Sequence, residues 1–334
     1  MFFKNIKIIG IVSFSLFIAY FSIQLFVPSY KGKEAIEIEI PEGATFREAM
    51  EILKANNLIR DKNIFLLIGR ISGVDKRIRA GFYRFWGNIT PYQVYKHFKE
   101  GRIVEFEIVV NEGDSLWEIR EKMTAKKLIS TTDFDSLVYD KNLLFSFNID
   151  APSLEGYLYP DTYKFPKGMK AKAIFKIMVD RLRKEYTEEI LKKMEEIGWT
   201  ENQILTLASI IEREAVINKE KPIISAVYHN RLKLGMPLQA DPTTIYGIKT
   251  YRDKIYRKDY QNKSPYNTYV IKGLPPGPIS SPSISSIEAT LKPAKVPFLY
   301  FVSRNDGTHI FSKTLKEHIL AIRNIRKSQE REEG

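Results

Sequence analysis

Residues Ile8 to Val27 form a run of 20 residues without a formal charge, between Lys4 and Lys7 on one side and Lys31 and Lys33 on the other. In hydrocarbon every backbone amide needs a partner within its own segment, so a run this apolar folds as a helix. At about 1.5 Å per residue it spans the roughly 30 Å apolar core of a bilayer. A cleaved signal peptide has a shorter apolar run closed by a small-x-small site, and neither pattern is present. The chain contains no cysteine, which excludes lipid attachment at cysteine, disulfides, thiol catalysis and cysteine–zinc sites. The flanking basic residues nearly balance, so they orient the helix only weakly. The expectation is a single-pass anchor at 8–27 in the cytoplasmic membrane and a cytoplasmic tail at 1–7. Everything from about Ser29 onward is then extracytoplasmic.

What remains is long enough for two or three domains. The formal charge of +12 and pI near 9.4 call for an anionic environment. No RNP1 or zinc-finger pattern is present, so nucleic acid is not expected; a membrane surface or an anionic wall polymer is. His97, His229, His309 and His318 are scattered, with no HExxH-type spacing, and neither a metal nor a cofactor is expected.

Two segments align without a gap at an offset of 70. Ile36 to Ile40, Pro41–Glu42–Gly43 and Thr45 to Ile59 match Glu107 to Val110, Asn111–Glu112–Gly113 and Ser115 to Ile129. Each reads as a strand, a Glu-Gly turn and a helix opened by a capping box, Thr45-x-x-Glu48 or Ser115-x-x-Glu118. Two copies are too few for a solenoid, so two small α/β modules are expected, at 34–102 and 103–150. Val110 to Ile119, VNEGDSLWEI, resembles the opening of a LysM glycan-binding module; a capped helix packed on a strand accounts for the same residues. Trp117, early in that helix, either packs in the core or meets the glycan, and the core is the expectation.

The third part, 151–330, differs in composition. Leu154 to Tyr163, LEGYLYPDTY, puts aromatic faces beside carboxylates, a mixture that suits sugar rings as well as it suits a packed turn. One long amphipathic helix is expected from Ala171 to Ile197. The capping box Thr200-x-x-Gln203 then opens a helix reading LTLASIIERE over Leu205 to Glu214. At about 100° per residue, Glu212 and Glu214 point about 200° apart, so at most one faces any cleft. A carboxylate against an apolar helix has its pKa raised by desolvation, which is what a general acid needs. Pro222 begins a further helix that ends at Gly235. Loops rich in Gly, Pro and polar side chains follow at Leu238–Gly247, Ser264–Tyr269 and Gly273–Pro278, the kind of rigid polar loops that build sites. A hairpin around Asn305–Asp306–Gly307 and a basic helix from Thr314 to about Lys327 close the chain.

LEGYLYPDTY, LASIIEREA, HNRLKLGMPLQADPTTIYG, YNTY, GLPPGPISSPS and FLYFVSRNDGTHIFS occur together in this order. Taken as a set they resemble the endolytic murein transglycosylases, the MltG or YceG-like family, along essentially the whole chain. The resemblance implies an α+β ectodomain of small LysM-like α/β modules and a mixed α+β catalytic domain behind a transmembrane helix. It implies cleavage of nascent peptidoglycan glycan strands between N-acetylmuramic acid and N-acetylglucosamine, leaving 1,6-anhydro-muramic ends. Peptidoglycan synthases are the implied protein partners. The family's catalytic glutamate falls on Glu214, with Glu212 as second choice, and Ala215 supplies no hydroxyl beside it. Gln239, Asp241, Tyr246, Asn267, Tyr269, Tyr157, Tyr159 and Asp161 match family motifs and are implied to bind substrate or support the cleft. Asp241 also reads as an ordinary cap before Pro242. A hydrolase using Glu214 with Asp241 or Asp161, and a wall-binding protein without catalysis, are the competing readings.

Overall fold

The structure, a computed structural model, describes residues 2–248 and 255–332. The chain forms two compact units, Met1–Glu107 with Lys164–Met169, and Ile108–Tyr163 with Lys170–Gly334. The segment 103–150 therefore divides between them, most of it in the second.

The first unit begins with α1 (Phe2–Phe26), of which Ile6–Phe26 has a mean hydropathy of 2.1 with 0% buried, long and apolar enough to cross a membrane. The end of such a helix leaves carbonyls without partners. Arg60 meets them, donating to the carbonyls of Ile23 and Val27 at 3.2 and 2.7 Å and of Pro28 at 2.6 Å. Then come β1 (Tyr30–Lys31), β2 (Ile36–Ile40), α2 (Phe46–Ala55), α3 (Lys62–Ser72), β3 (Gly81–Phe85), β4 (Asn88–Ile89) and α4 (Pro91–Glu100), after which β5 (Glu105–Val109) crosses the boundary at Glu107. In β2 the period of two puts Ile38 and Ile40 into the core and Glu39 outside. β2 pairs antiparallel with β3, Ile38 opposite Tyr83, and Tyr83 stacks on Phe98 with centroids 4.4 Å apart. β1 pairs with β4.

The 70-residue repeat is visible in the backbone. α5 (Leu116–Ala125) corresponds end to end with α2. Glu48 accepts the Thr45 N–H at 2.7 Å, and Glu118 accepts the Ser115 N–H at 2.7 Å. Ala49, Leu53, Leu58 and Ile59 are buried in the first copy, as are Ile119, Met123, Leu128 and Ile129 in the second. Even the left-handed residues recur: Gly43 and Gly113 in the turns, Asn57 and Lys127 after the helices. The first copy is a strand, two α-helices and a returning strand, and the second has three helices between its strands. The second one's returning strand lies beyond residue 150, after α6 (Thr131–Val138) and α7 (Lys141–Ser146), as β6 (Thr162–Pro166), which pairs with β5.

The second unit continues with α8 (Ala171–Lys184), α9 (Glu188–Ile197), α10 (Glu201–Glu214), α11 (Lys221–Lys233), α12 (Asp241–Ile248), α13 (Ile284–Leu291), β7 (Tyr300–Ser303), β8 (His309–Ser312) and α14 (Leu315–Glu332). The single helix expected over Ala171–Ile197 is two, because the Thr187 side chain accepts the Ile190 N–H at 3.3 Å and starts a new one. β7 and β8 form the expected hairpin. The core around α10 is Leu207, Ile210 and Ile211 packed with Ile224 and Tyr228 of α11, Leu238, Ala240 and Ile279.

Candidate active site

α10 is opened by its capping box, Gln203 accepting the Thr200 N–H at 2.9 Å, and every residue from Ile204 to Ile211 is buried. A helix buried on all sides is wrapped by its neighbours, and between Glu201 in its first turn and Glu212 in its last it carries no charge. There the two glutamates part as their spacing requires.

Glu212 turns towards α11 and α13. Its carboxylate accepts from Lys221 Nζ at 3.1 and 3.2 Å, from the Ser283 N–H at 2.8 Å, from Ser286 Oγ at 2.7 Å and from Ser283 Oγ. Lys221 is itself only 2% exposed and also donates to Ser283 and Ser285. Burial alone would raise the Glu212 pKa, but the serine hydrogen bonds and the Lys221 charge overcome it and hold the group below the ordinary carboxylate range. It is an ionised, fully partnered carboxylate.

Glu214 turns the other way, towards α11 and the start of α12. Tyr228 Oη donates to Oε1 at 3.1 Å, and the Asp241 backbone N–H donates as well. Burial, and then the neighbouring Asp241 carboxylate, push its pKa up to about 7. Near neutrality such a group exists in both protonation states, so it can give a proton in one step and accept one in the next. Among the described residues no group of three or more His, Asp or Glu gathers to hold a metal ion.

Two of the polar loops meet beside this carboxyl. Gln239 N donates to the Thr268 carbonyl at 3.1 Å and Ala240 N to Thr268 Oγ1 at 2.9 Å, joining the QADP and YNTY segments like adjacent strands. Tyr269 Oη donates to Asp241 Oδ1 at 2.6 Å, and the Tyr260 hydroxyl bonds the same carboxylate. Gln239 has a φ of 52°, a strained value for a residue with a Cβ, and its side-chain oxygen accepts from Arg231 at 3.3 Å. Asn267 is fully buried; its amide donates to the carbonyls of Tyr260 and Asn262 at 3.1 and 2.8 Å and accepts from Thr244 at 3.1 Å, so it shapes the loop. The GLPPGPISSPS segment lies along α10, with Ile279 N donating to Ser209 Oγ at 3.0 Å.

Other implied site residues lie elsewhere. Tyr157 is 1% exposed and takes part in packing; burial pushes its hydroxyl pKa well up. Tyr159 is buried beneath the guanidinium of Arg181, and Asp161 accepts from Arg181 Nε at 2.6 Å. The Tyr246 hydroxyl is bonded to Glu155. In LEGYLYPDTY the tyrosines and Asp161 are thus held by packing and by Arg181. Trp117 corrects the expectation of a core residue: it is 46% exposed, because the apolar face of α5 is made by Leu116, Ile119 and Met123. Sequence reasoning missed Lys221, Ser283, Ser286 and Tyr228 as neighbours of the glutamates, since they come from other helices at no fixed spacing. The Ser-rich stretch after Pro278 was the one available signal.

The sequence model of the YceG-like family matches residues 38–324. The chain is 34% identical over 304 residues to the endolytic murein transglycosylase of Bacillus subtilis (strain 168), covering 86% of this chain and 84% of that one. It is 25% identical over 354 residues to the endolytic murein transglycosylase of Streptococcus pneumoniae serotype 2 (strain D39 / NCTC 7466), covering 92% of this chain and 63% of that one. Among solved structures, a 2.6 Å crystal structure of a yceG-like protein from Listeria monocytogenes superposes with a TM-score of 0.60 at 33% identity, covering 87% of this chain and 100% of that one.

Proposed function

The chain belongs to the YceG-like family, and from that premise we propose that it is an endolytic murein transglycosylase in which Glu214 alone is acid and base. The observation that carries the assignment is the contrast two residues apart: Glu212 is ionised and saturated with donors, while Glu214 titrates near neutrality. Protonated Glu214 gives its proton to the glycosidic oxygen between N-acetylmuramic acid and N-acetylglucosamine, and the bond from that oxygen to muramic C1 breaks. The Glu214 carboxylate then takes the proton of the muramic C6 hydroxyl as that oxygen bonds C1 and closes the 1,6-anhydro ring. No water is consumed, and the carboxyl returns to its starting state. The nucleophile is part of the substrate, so its effective concentration is high.

Gln239, Asp241 and Tyr269 are proposed to line the path of the strand, with Asn267 holding their loop. The apolar helix Ile6–Phe26 serves as the anchor, the site faces the extracytoplasmic side, and peptidoglycan synthases supply the nascent strand. Mass spectrometry of muropeptides after digestion of uncrosslinked glycan is the test; anhydro-muramic ends are expected. One observation favours a second reading: the Asp241 carboxylate lies close enough to Glu214 to raise its pKa. Two carboxylates can run a hydrolase. New reducing muramic ends would select that reading.

A further inference from the structure

α12 has two sides. Asp241, its first residue, belongs to Glu214; Ile245 and Tyr246 face a cavity of about 550 Å³ whose opposite wall is the start of α5. Arg213, the residue before Glu214, also lines it, so the cavity and the candidate active site share the ends of α10 and α12. Its volume lies within the range of small-molecule sites, about 300–1,000 Å³.

The lining has a definite chemistry. At its base is Glu155, 2% exposed, whose carboxyl accepts the Leu116 N–H at 3.0 and 3.1 Å and is bonded by the Tyr246 hydroxyl. Burial pushes its pKa up to about 8, so at neutral pH it is mainly a neutral hydrogen-bonding group. The charged side chains around it make hydrogen bonds of their own. Arg120 bonds Asp135 at 3.1 Å, Arg213 donates to the Gly113 carbonyl at 3.2 Å, and Glu118 is bound in the capping box of α5. Two arginines thus stand against two carboxylates. At the opening Trp117 presents a half-exposed ring with the Arg120 guanidinium 6.0 Å from its centre, and Tyr139 is also exposed there.

A neutral carboxyl at the base and aromatic faces at the mouth fit an uncharged ligand with one apolar face and several hydroxyl or amide groups. We infer that this cavity is a second carbohydrate subsite, taking an N-acetylhexosamine ring of the glycan strand with Trp117 as its stacking platform. The inference rests on glycan being the substrate and extends the strand's path from Glu214 across α12 to α5. It also gives the LysM-like segment a task within the catalytic unit, since Trp117 belongs to the second copy of the repeat.

The test is calorimetric titration of tetra-N-acetylchitotetraose into the full chain in detergent micelles, carrying Glu214→Gln so that nothing is turned over. Trp117→Ala should weaken binding at least tenfold with little change in melting temperature. Ile245→Trp, which fills the cavity from the α12 side, should weaken it as much, and Trp117→Phe should keep most of the affinity. Parental affinity in both Trp117→Ala and Ile245→Trp overturns the subsite, as does absence of binding by the parent at millimolar ligand. Failure here is distinct from failure of the proposed function. Anhydro ends with unaltered binding in Trp117→Ala refute only the subsite; reducing ends with weakened binding refute only the reaction.

Discussion

Replacing Glu214 by glutamine keeps the shape of the side chain and its bond from Tyr228 but removes the titration, and the consequences for stability and activity have opposite signs. The folded-state pKa of about 7 lies above the ordinary value of 4.5. Between these values the native state binds more protons than the unfolded chain, so stability falls as pH rises through the window. At about 1.4 kcal/mol per pH unit, the cost of the buried carboxylate accumulates to roughly 2–3 kcal/mol by pH 8. Glutamine carries no such cost. The melting temperature of Glu214→Gln relative to the parent should therefore climb between pH 5 and pH 8, by about 4–12 °C at roughly 2–4 °C per kcal/mol. Turnover should meanwhile fall by at least the 10²–10⁴-fold typical of one general acid. Parental turnover should decline as pH rises through about 7, where the acid form is lost. Scanning fluorimetry and product release at the two pH values measure both. A melting difference that stays flat or shrinks as pH rises would refute the desolvated carboxyl, and near-parental turnover would refute its role.

Asp241→Asn removes the charge that raises the Glu214 pKa and should move the alkaline limb of the pH–rate profile to lower pH. Tyr228→Phe removes a donor to the ionised form and should move the same limb upward. Glu212→Gln leaves the Lys221 ammonium buried without its counter-charge and should cost about 3–5 kcal/mol in denaturant titration, while Glu212→Gln with Lys221→Met should recover most of the loss. Trp117→Ala, at a half-exposed site, should destabilise far less than the roughly 3–5 kcal/mol of a buried tryptophan. Protease added to spheroplasts should remove the ectodomain and spare a fragment containing Ile6–Phe26; an intact chain would contradict the proposed orientation.

What was legible in the sequence was local. The apolar run, the capping boxes at Thr45, Ser115 and Thr200, the turn at Asn305–Gly307 and the opposite directions of Glu212 and Glu214 follow from spacing along one element. The break between α8 and α9 was missed because a threonine N-cap inside a continuing amphipathic pattern gives no change of period. Trp117 was misplaced because aromatic character says nothing about which side of α5 meets the core. The partners of the two glutamates were beyond reach in principle. Lys221, Ser283 and Ser286 approach Glu212 from 9, 71 and 74 residues away, and only the packing of α10, α11 and α13 sets those distances.

The divergence of the two glutamates follows from what each meets next. Both stand in the last turn of α10, where the negative end of the helix dipole disfavours a carboxylate. For Glu212 that effect is offset by another helix end. Its oxygens point at the first turn of α13, where Ser283 is the N-cap and supplies its own N–H and hydroxyl, and Lys221 adds a full charge. Glu214 meets the first residue of α12 as well, but that residue is Asp241, which brings one N–H and a carboxylate together. A donor and a like charge at the same helix start keep Glu214 in position while making its ionised form expensive. Changing Asp241 thus alters the proton affinity of Glu214 without moving α10, which is why the alkaline limb of the pH profile, more than the loss of activity in any single variant, reports on this arrangement.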